Sequence, residues 1–252
     1  MRMVLLTALG VGGATVIGAI LGFVFKKISH KFSDIVLAFA AGVMLCAAVV
    51  GLVLPSLEYG GDNGFWMTAA GIFCGAICLN LLDKVVPHLH RLSGVDQEKH
   101  PDGAQQLNKV LLFVMAIAIH NLPEGIAAGV GFGTGNDGEA ITIAAGIALQ
   151  NIPEGMVIIA PMLAAGMSRG RTFVAALLTG VVEVLGCLLG YFAVSISTAI
   201  LPFALAFAGG TMLYVISDEM IPETHAHGEE RGATYALLAG FCLMLAMSHF
   251  LE

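Results

Sequence analysis

His120-Asn121-Leu122-Pro123-Glu124-Gly125 is followed thirty residues later by Gln150-Asn151-Ile152-Pro153-Glu154-Gly155, the same hexapeptide with two letters changed. Both copies sit inside long apolar runs, where an acid and a proline are each unwelcome. An acidic side chain at a bilayer centre costs roughly 2.5 to 3.5 kcal/mol, and a proline inside a helix about 3 kcal/mol or more. A chain that spells this combination twice is holding something there.

The runs around the hexapeptides set the fold class. The 252-residue chain is 58% hydrophobic and 12% charged, with a mean hydropathy of +0.89; a soluble domain carries about 25% charged residues. Successive apolar stretches of about twenty residues predict an all-α polytopic membrane protein. Eight spans are expected, at residues 3–25, 35–57, 65–82, 107–132, 140–166, 172–197, 200–222 and 233–250, forming a single transmembrane domain over 1–252. The first run is longer than a signal-peptide core and is followed by Lys26-Lys27 rather than by small residues, so it reads as a true span. The net charge of −7 says little about partners, and nothing in the composition points to nucleic acid.

Lysine and arginine set the orientation. Lys26, Lys27, Lys31, Lys84, Arg91, Lys99, Lys109, Arg169, Arg171 and Arg231 fall on one face and only Arg2 on the other. Both termini are therefore expected outside the cytoplasm, in a multi-pass protein of the cell (inner) membrane. Cys46, Cys74, Cys78, Cys187 and Cys242 lie within spans without a Cys-x-x-Cys pair and read as small buried hydrophobes.

Internal spacing adds detail. Gly18 and Gly22, Gly71 and Gly75, and Gly186 and Gly190 have the small-xxx-small spacing of close helix packing, within one chain or between two. Gly42-Val43-Met44-Leu45 before Pro55 is echoed by Gly210-Thr211-Met212-Leu213 before Pro222, in spans that run in opposite directions. An inverted repeat is expected, with a binding site near the midplane.

Depth and facing assemble that site. From the loop at 133–138, His120 lies thirteen residues back and Gln150 twelve on, about 18 to 20 Å along each helix at 1.5 Å per residue. Glu183 and Met44 reach comparable depth. His120 and Glu124 share a helix face, with Asn121 beside them; Gln150, Asn151 and Glu154 repeat the geometry on the next, antiparallel helix. Three ionised, unpaired glutamates would cost about 8 to 10 kcal/mol, and no span centre holds a lysine or arginine. Imidazole, amide and carboxylate together suit a divalent first-row metal, and two facing glutamates can bridge two ions.

Polar residues beyond the midplane are secondary candidates. The loop at 83–106 holds His88, His90 and His100. The segment after span seven holds Asp218, Glu219, Glu223, His225 and His227, and reads as a loop lining a cytoplasmic exit. Glu58, Asp62, Asp137 and Glu139 give the opposite face an anionic rim.

At the paired hexapeptides the sequence resembles the ZIP family of divalent-metal transporters, most of all its GufA-like branch. The resemblance covers the whole chain and implies eight helices in a 3+2+3 arrangement, a homodimer, and movement of zinc and related ions (Fe2+, Mn2+ or Cd2+) into the cytoplasm by alternating access, with no organic cofactor. It also implies one metal held by His120, Glu124, Gln150 and Glu154 and a second by Asn121, Glu124, Asn151, Glu154 and Glu183, with Met44 near the first and Glu58 at the outer entrance. Many family members have histidine or aspartate where this chain has Gln150 and Asn151. A metal-selective channel would share every ligand. An intramembrane metalloenzyme would want a motif such as His-Glu-x-x-His, which is absent, so no catalytic residue is assigned.

Overall fold

The computed structural model describes residues 1–25, 29–85, 118–164, 166–228 and 230–251. The loop histidines His88, His90 and His100, the basic residues Lys26, Lys27, Arg91, Lys99 and Lys109, and the first part of the fourth expected span lie outside the described residues.

The described chain is helical. Its elements are α1 (Arg2–Val24), α2 (His30–Cys46), α3 (Leu54–Tyr59), α4 (Gly64–Val85), α5 (118–131), α6 (Asp137–Val157), α7 (Ile159–Ala164), α8 (Arg169–Ile196), α9 (Leu201–Val215), α10 (Ile221–Thr224) and α11 (Glu230–Leu251). Seven helical stretches among the described residues are long and apolar enough to cross a membrane: Arg2–Val24, His30–Tyr59, Gly61–Leu82, Asp137–Ala164, Arg169–Ile196, Thr198–Thr224 and Glu230–Leu251. They match seven of the expected spans to within a few residues, and α5 lies within the remaining one. The chain is an all-α polytopic membrane protein.

Two spans change their winding midway. A π-helical segment, Ala47–Val53, joins α2 to α3, and another, Ile216–Met220, joins α9 to α10. Each ends where a proline occupies the first turn of the next helix, Pro55 in α3 and Pro222 in α10. Proline lacks a backbone donor and its ring crowds the carbonyl four residues back; the wider π turn takes up that mismatch without breaking the span. By contrast Pro123 and Pro153 lie within continuous helix.

The repeat extends beyond the two Gly-x-Met-Leu stretches. Gly12 and Gly180, Gly18 and Gly186, Gly22 and Gly190, Gly42 and Gly210, and Met44 and Met212 all share an offset of 168 residues. Packing follows the same pairing. The α2–α11 contact is matched by α9–α4, the α1–α6 contact by α8 on α5, and α1 meets α8 across the middle. A Cβ on Gly18 would strike the carbonyl of Ile152 in α6, and one on Gly186 the carbonyl of Leu122 in α5. The glycine pairs of spans one, three and six are all spent on helix contacts inside this chain.

The main core cluster is centred on α2, the π segments, α6 and α9, including Met44, Leu52, Ile143, Ile147, Leu205 and Met212, with a smaller one around Ala19, Ile158, Ile159 and Ala176. Helices α4 and α11 are peripheral and expose Phe65, Trp66, Phe73 and Tyr235, as lipid-facing helices should. Three cysteines depart from expectation for this reason: Cys46 and Cys187 are buried, but on those outer helices Cys74 and Cys242 are exposed and Cys78 is half-buried.

Candidate metal centre

The centre is built where α5 and α6 cross α1 and α8. Gly125 allows α5 to lie against the backbone of α8 at Glu183, and Gly155 allows α6 to lie against α1 at Thr15. These contacts are counterparts: Thr15 and Glu183 are 168 residues apart, and Gly125 and Gly155 hold the same place in the two hexapeptides. Close backbone approach brings the polar residues of four helices to one depth.

Glu183 is the hub. Fully buried, it accepts on Oε1 from the Thr15 hydroxyl at 2.6 Å and from the Asn121 amide, and on Oε2 from the Asn151 amide at 2.8 Å. Three donors thus offset the desolvation of one carboxylate. Thr15 was not anticipated from sequence. A threonine in a helix ordinarily bonds a carbonyl of its own preceding turn, as Thr179 and Thr211 do here. Its usable signal was place: Thr15, Gly18 and Gly22 lie on one face of α1.

The hexapeptide acids lie beside this hub. Glu124 is fully buried and within electrostatic range of Glu154 and Glu183; Glu154 is half-buried and within range of His120 and Glu219. Glu124 Oε2, both polar atoms of Gln150 and Asn151 Oδ1 are buried and have no hydrogen-bond partner among the described residues. Buried polar atoms are almost always paired in folded proteins, so this concentration in one place is unusual, even with Gln150 lying beside the Glu124 carboxyl. Among the described residues no three His, Cys, Asp or Glu side chains already stand at metal-binding distance.

Glu219 corrects the reading of the segment after span seven. Asp218, Glu219 and Glu223 are not in a loop; the helix continues through the π segment and α10. Wider winding turns Glu219 inward, 3.0 Å from His120 Nε2. It therefore belongs to the midplane cluster, while Asp218 is exposed. His225 is tied into its own turn, its Nδ1 donating to the Ile221 carbonyl at 2.8 Å. His227 lies at the end of the bundle beside Asp34. Met44 is fully buried in the main core. Glu58 is exposed at the end of α3, where it and Glu139 both act on Tyr59.

Comparison with known proteins points the same way. The sequence model described as ZIP zinc transporter matches residues 87–248. The chain is 41% identical to the zinc transporter GufA of Myxococcus xanthus, over 96% of each chain. It is 37% identical to the zinc transporter ZIPB of Bordetella bronchiseptica, over 92% of this chain and 76% of that one, and 30% identical to human zinc transporter ZIP11, over 93% of each. These relatives are named as transporters rather than enzymes, and with matches of this extent the chain belongs to the ZIP zinc transporter family.

Proposed function

We propose that this chain carries divalent transition metal, zinc above all, across the membrane through the cluster of His120, Asn121, Glu124, Gln150, Asn151, Glu154 and Glu183, with Glu219 at its edge and Met44 in the adjoining core. The observation that carries the reading is the group of unpartnered polar atoms on Glu124, Gln150 and Asn151 beside three acids, in apolar helices without a basic residue at their centres. The named activity of the relatives supports zinc as cargo.

Two ions fit the ligand inventory. His120, Glu124, Gln150 and Glu154 supply one set. The second set adds Asn121, Asn151 and Glu183, and it must rearrange to load. Both asparagines donate N–H to Glu183, so an ion that takes the Glu183 carboxylate must displace those bonds, while the Asn151 oxygen is already unpartnered. That exchange of hydrogen bonds for coordination keeps binding reversible, as a carrier needs. The basic-residue distribution supports the face bearing Arg169 and Arg171 as the cytoplasmic one, and movement of metal toward that face is what the family resemblance implies. A homodimer is the family-like assembly.

The test is zinc uptake into vesicles reconstituted with purified protein. Glu124→Ala and Glu154→Ala are each expected to abolish uptake while the protein remains monodisperse. Uptake at the wild-type rate in either variant would overturn the site assignment.

A further inference from the structure

A second group of ligand-type side chains gathers where α2 begins, outside the midplane cluster. His30 and Asp34 lie one turn apart on α2, and His227 comes from the turn after α10. His227 Nδ1 is 3.2 Å from Asp34 Oδ1. The rings of His30 and His227 stack with centroids 4.8 Å apart and planes 27° from parallel. Asp34 is only 3% exposed and its Oδ2 has no hydrogen-bond partner among the described residues, whereas both imidazoles are exposed.

We propose that His30, Asp34 and His227 form a binding site for one divalent first-row metal ion at this end of the bundle, separate from the midplane. Two imidazoles and a carboxylate form a nitrogen-and-oxygen set suited to zinc, cobalt or nickel. His227 Nδ1 and Asp34 Oδ1 stand 3.2 Å apart, close to the separation of two ligand atoms on one tetrahedral ion with metal–ligand distances of about 2.0 to 2.1 Å. Ring spacing fits as well. With Zn–N distances of about 2.0 to 2.1 Å and a tetrahedral angle, two imidazoles on one ion have centroids roughly 5 Å apart. As placed, the three side chains do not yet stand at metal-binding distance, and turning the two exposed rings toward Asp34 closes the site. A simple tie between α2 and the turn would need Asp34 and one histidine. It leaves the second imidazole and the bare Asp34 oxygen without a role.

The choice of ion rests on the transport reading, but the site does not, and cobalt titration of the purified full chain in detergent separates the two. The Glu124→Ala/Glu154→Ala variant is expected to retain one Co2+ with the visible absorption of a tetrahedral nitrogen-and-oxygen site. Adding His30→Gln and His227→Gln should remove it, and Asp34→Asn, which replaces a charged oxygen ligand with a neutral amide, should raise its Kd for Co2+. Should the midplane variant misfold, the wild-type chain and its His30→Gln/His227→Gln form are compared instead, with a difference of one bound Co2+ expected. Binding unchanged by the histidine substitutions, or no Co2+ bound by the folded midplane variant, would overturn the proposal. Wild-type zinc uptake in Glu124→Ala would overturn the midplane assignment and leave this site standing.

Discussion

Thr15 shows how much one hydroxyl can decide. It occupies in α1 the position that Glu183 occupies in α8, and the two meet at 2.6 Å where the repeats cross. A hydrogen bond of this kind contributes about 0.5 to 3 kcal/mol, the upper half of the range belonging to a charged acceptor. Thr15→Val keeps the shape and removes the donor, so its unfolding midpoint should fall by an amount corresponding to that range, whereas Thr15→Ser should stay near wild type. Equal midpoints for Val and wild type would show that Glu183 does not depend on this donor. The acids and amides of the hexapeptides were readable because such residues have no ordinary business in apolar helices. Thr15 was hidden because threonine does. Asn121 and Asn151 both meet Glu183, but sequence carries no record of which edge of an amide faces inward; here both donate to it.

At the scale of helices, glycine sets the distances on which the site depends. Gly155 lies where any Cβ would meet the backbone carbonyl of Thr15, and Gly10, on the same helix as Thr15, where a Cβ would meet nothing. Gly155→Ala should therefore force α6 off α1, cost about 1 to 3 kcal/mol as overpacking does, and slow zinc uptake through misplacement of Glu154. Gly10→Ala should be neutral or stabilising by up to about 1 kcal/mol, since alanine is the better helix former. Thermal unfolding of the two variants, with uptake measured in parallel, checks the pair. Small-xxx-small spacing was visible in the sequence, but its partner was not, because the same stripe serves a neighbouring helix or a second chain equally well. The π segments were also out of reach. Pro55 and Pro222 announced a disturbance, yet whether a proline kinks, ends or widens a helix is settled by packing. That choice moved Glu219 from an expected loop to within 3.0 Å of His120.

Taken whole, the bundle treats its two ends differently. Between the level of Glu58 and Glu139 and that of Met44 and Gln150, the spans place Leu52, Ile143, Ile147 and Leu205, all at most 1% exposed and part of one core cluster. On the other side of the site, His120 and Glu219 keep 17% and 16% of their side-chain surface exposed. Apolar packing thus seals the Glu58 end, and polar side chains lead out past Glu219. Repeats of inverted topology would, on the proposed transport reading, exchange these conditions if either half rocks against α5 and α6. Cysteines introduced at Leu52 and Ile143, in a chain whose own five cysteines are replaced, should resist a membrane-impermeant thiol reagent applied from the Glu58 side. During zinc transport their labelling should rise as the seal opens and closes. Labelling that is high and independent of zinc would indicate a standing pore, and flux far above about 10³ per second, the upper end of typical turnover, would agree with it. Saturating flux together with zinc-dependent labelling would identify the apolar seal as the gate of a carrier.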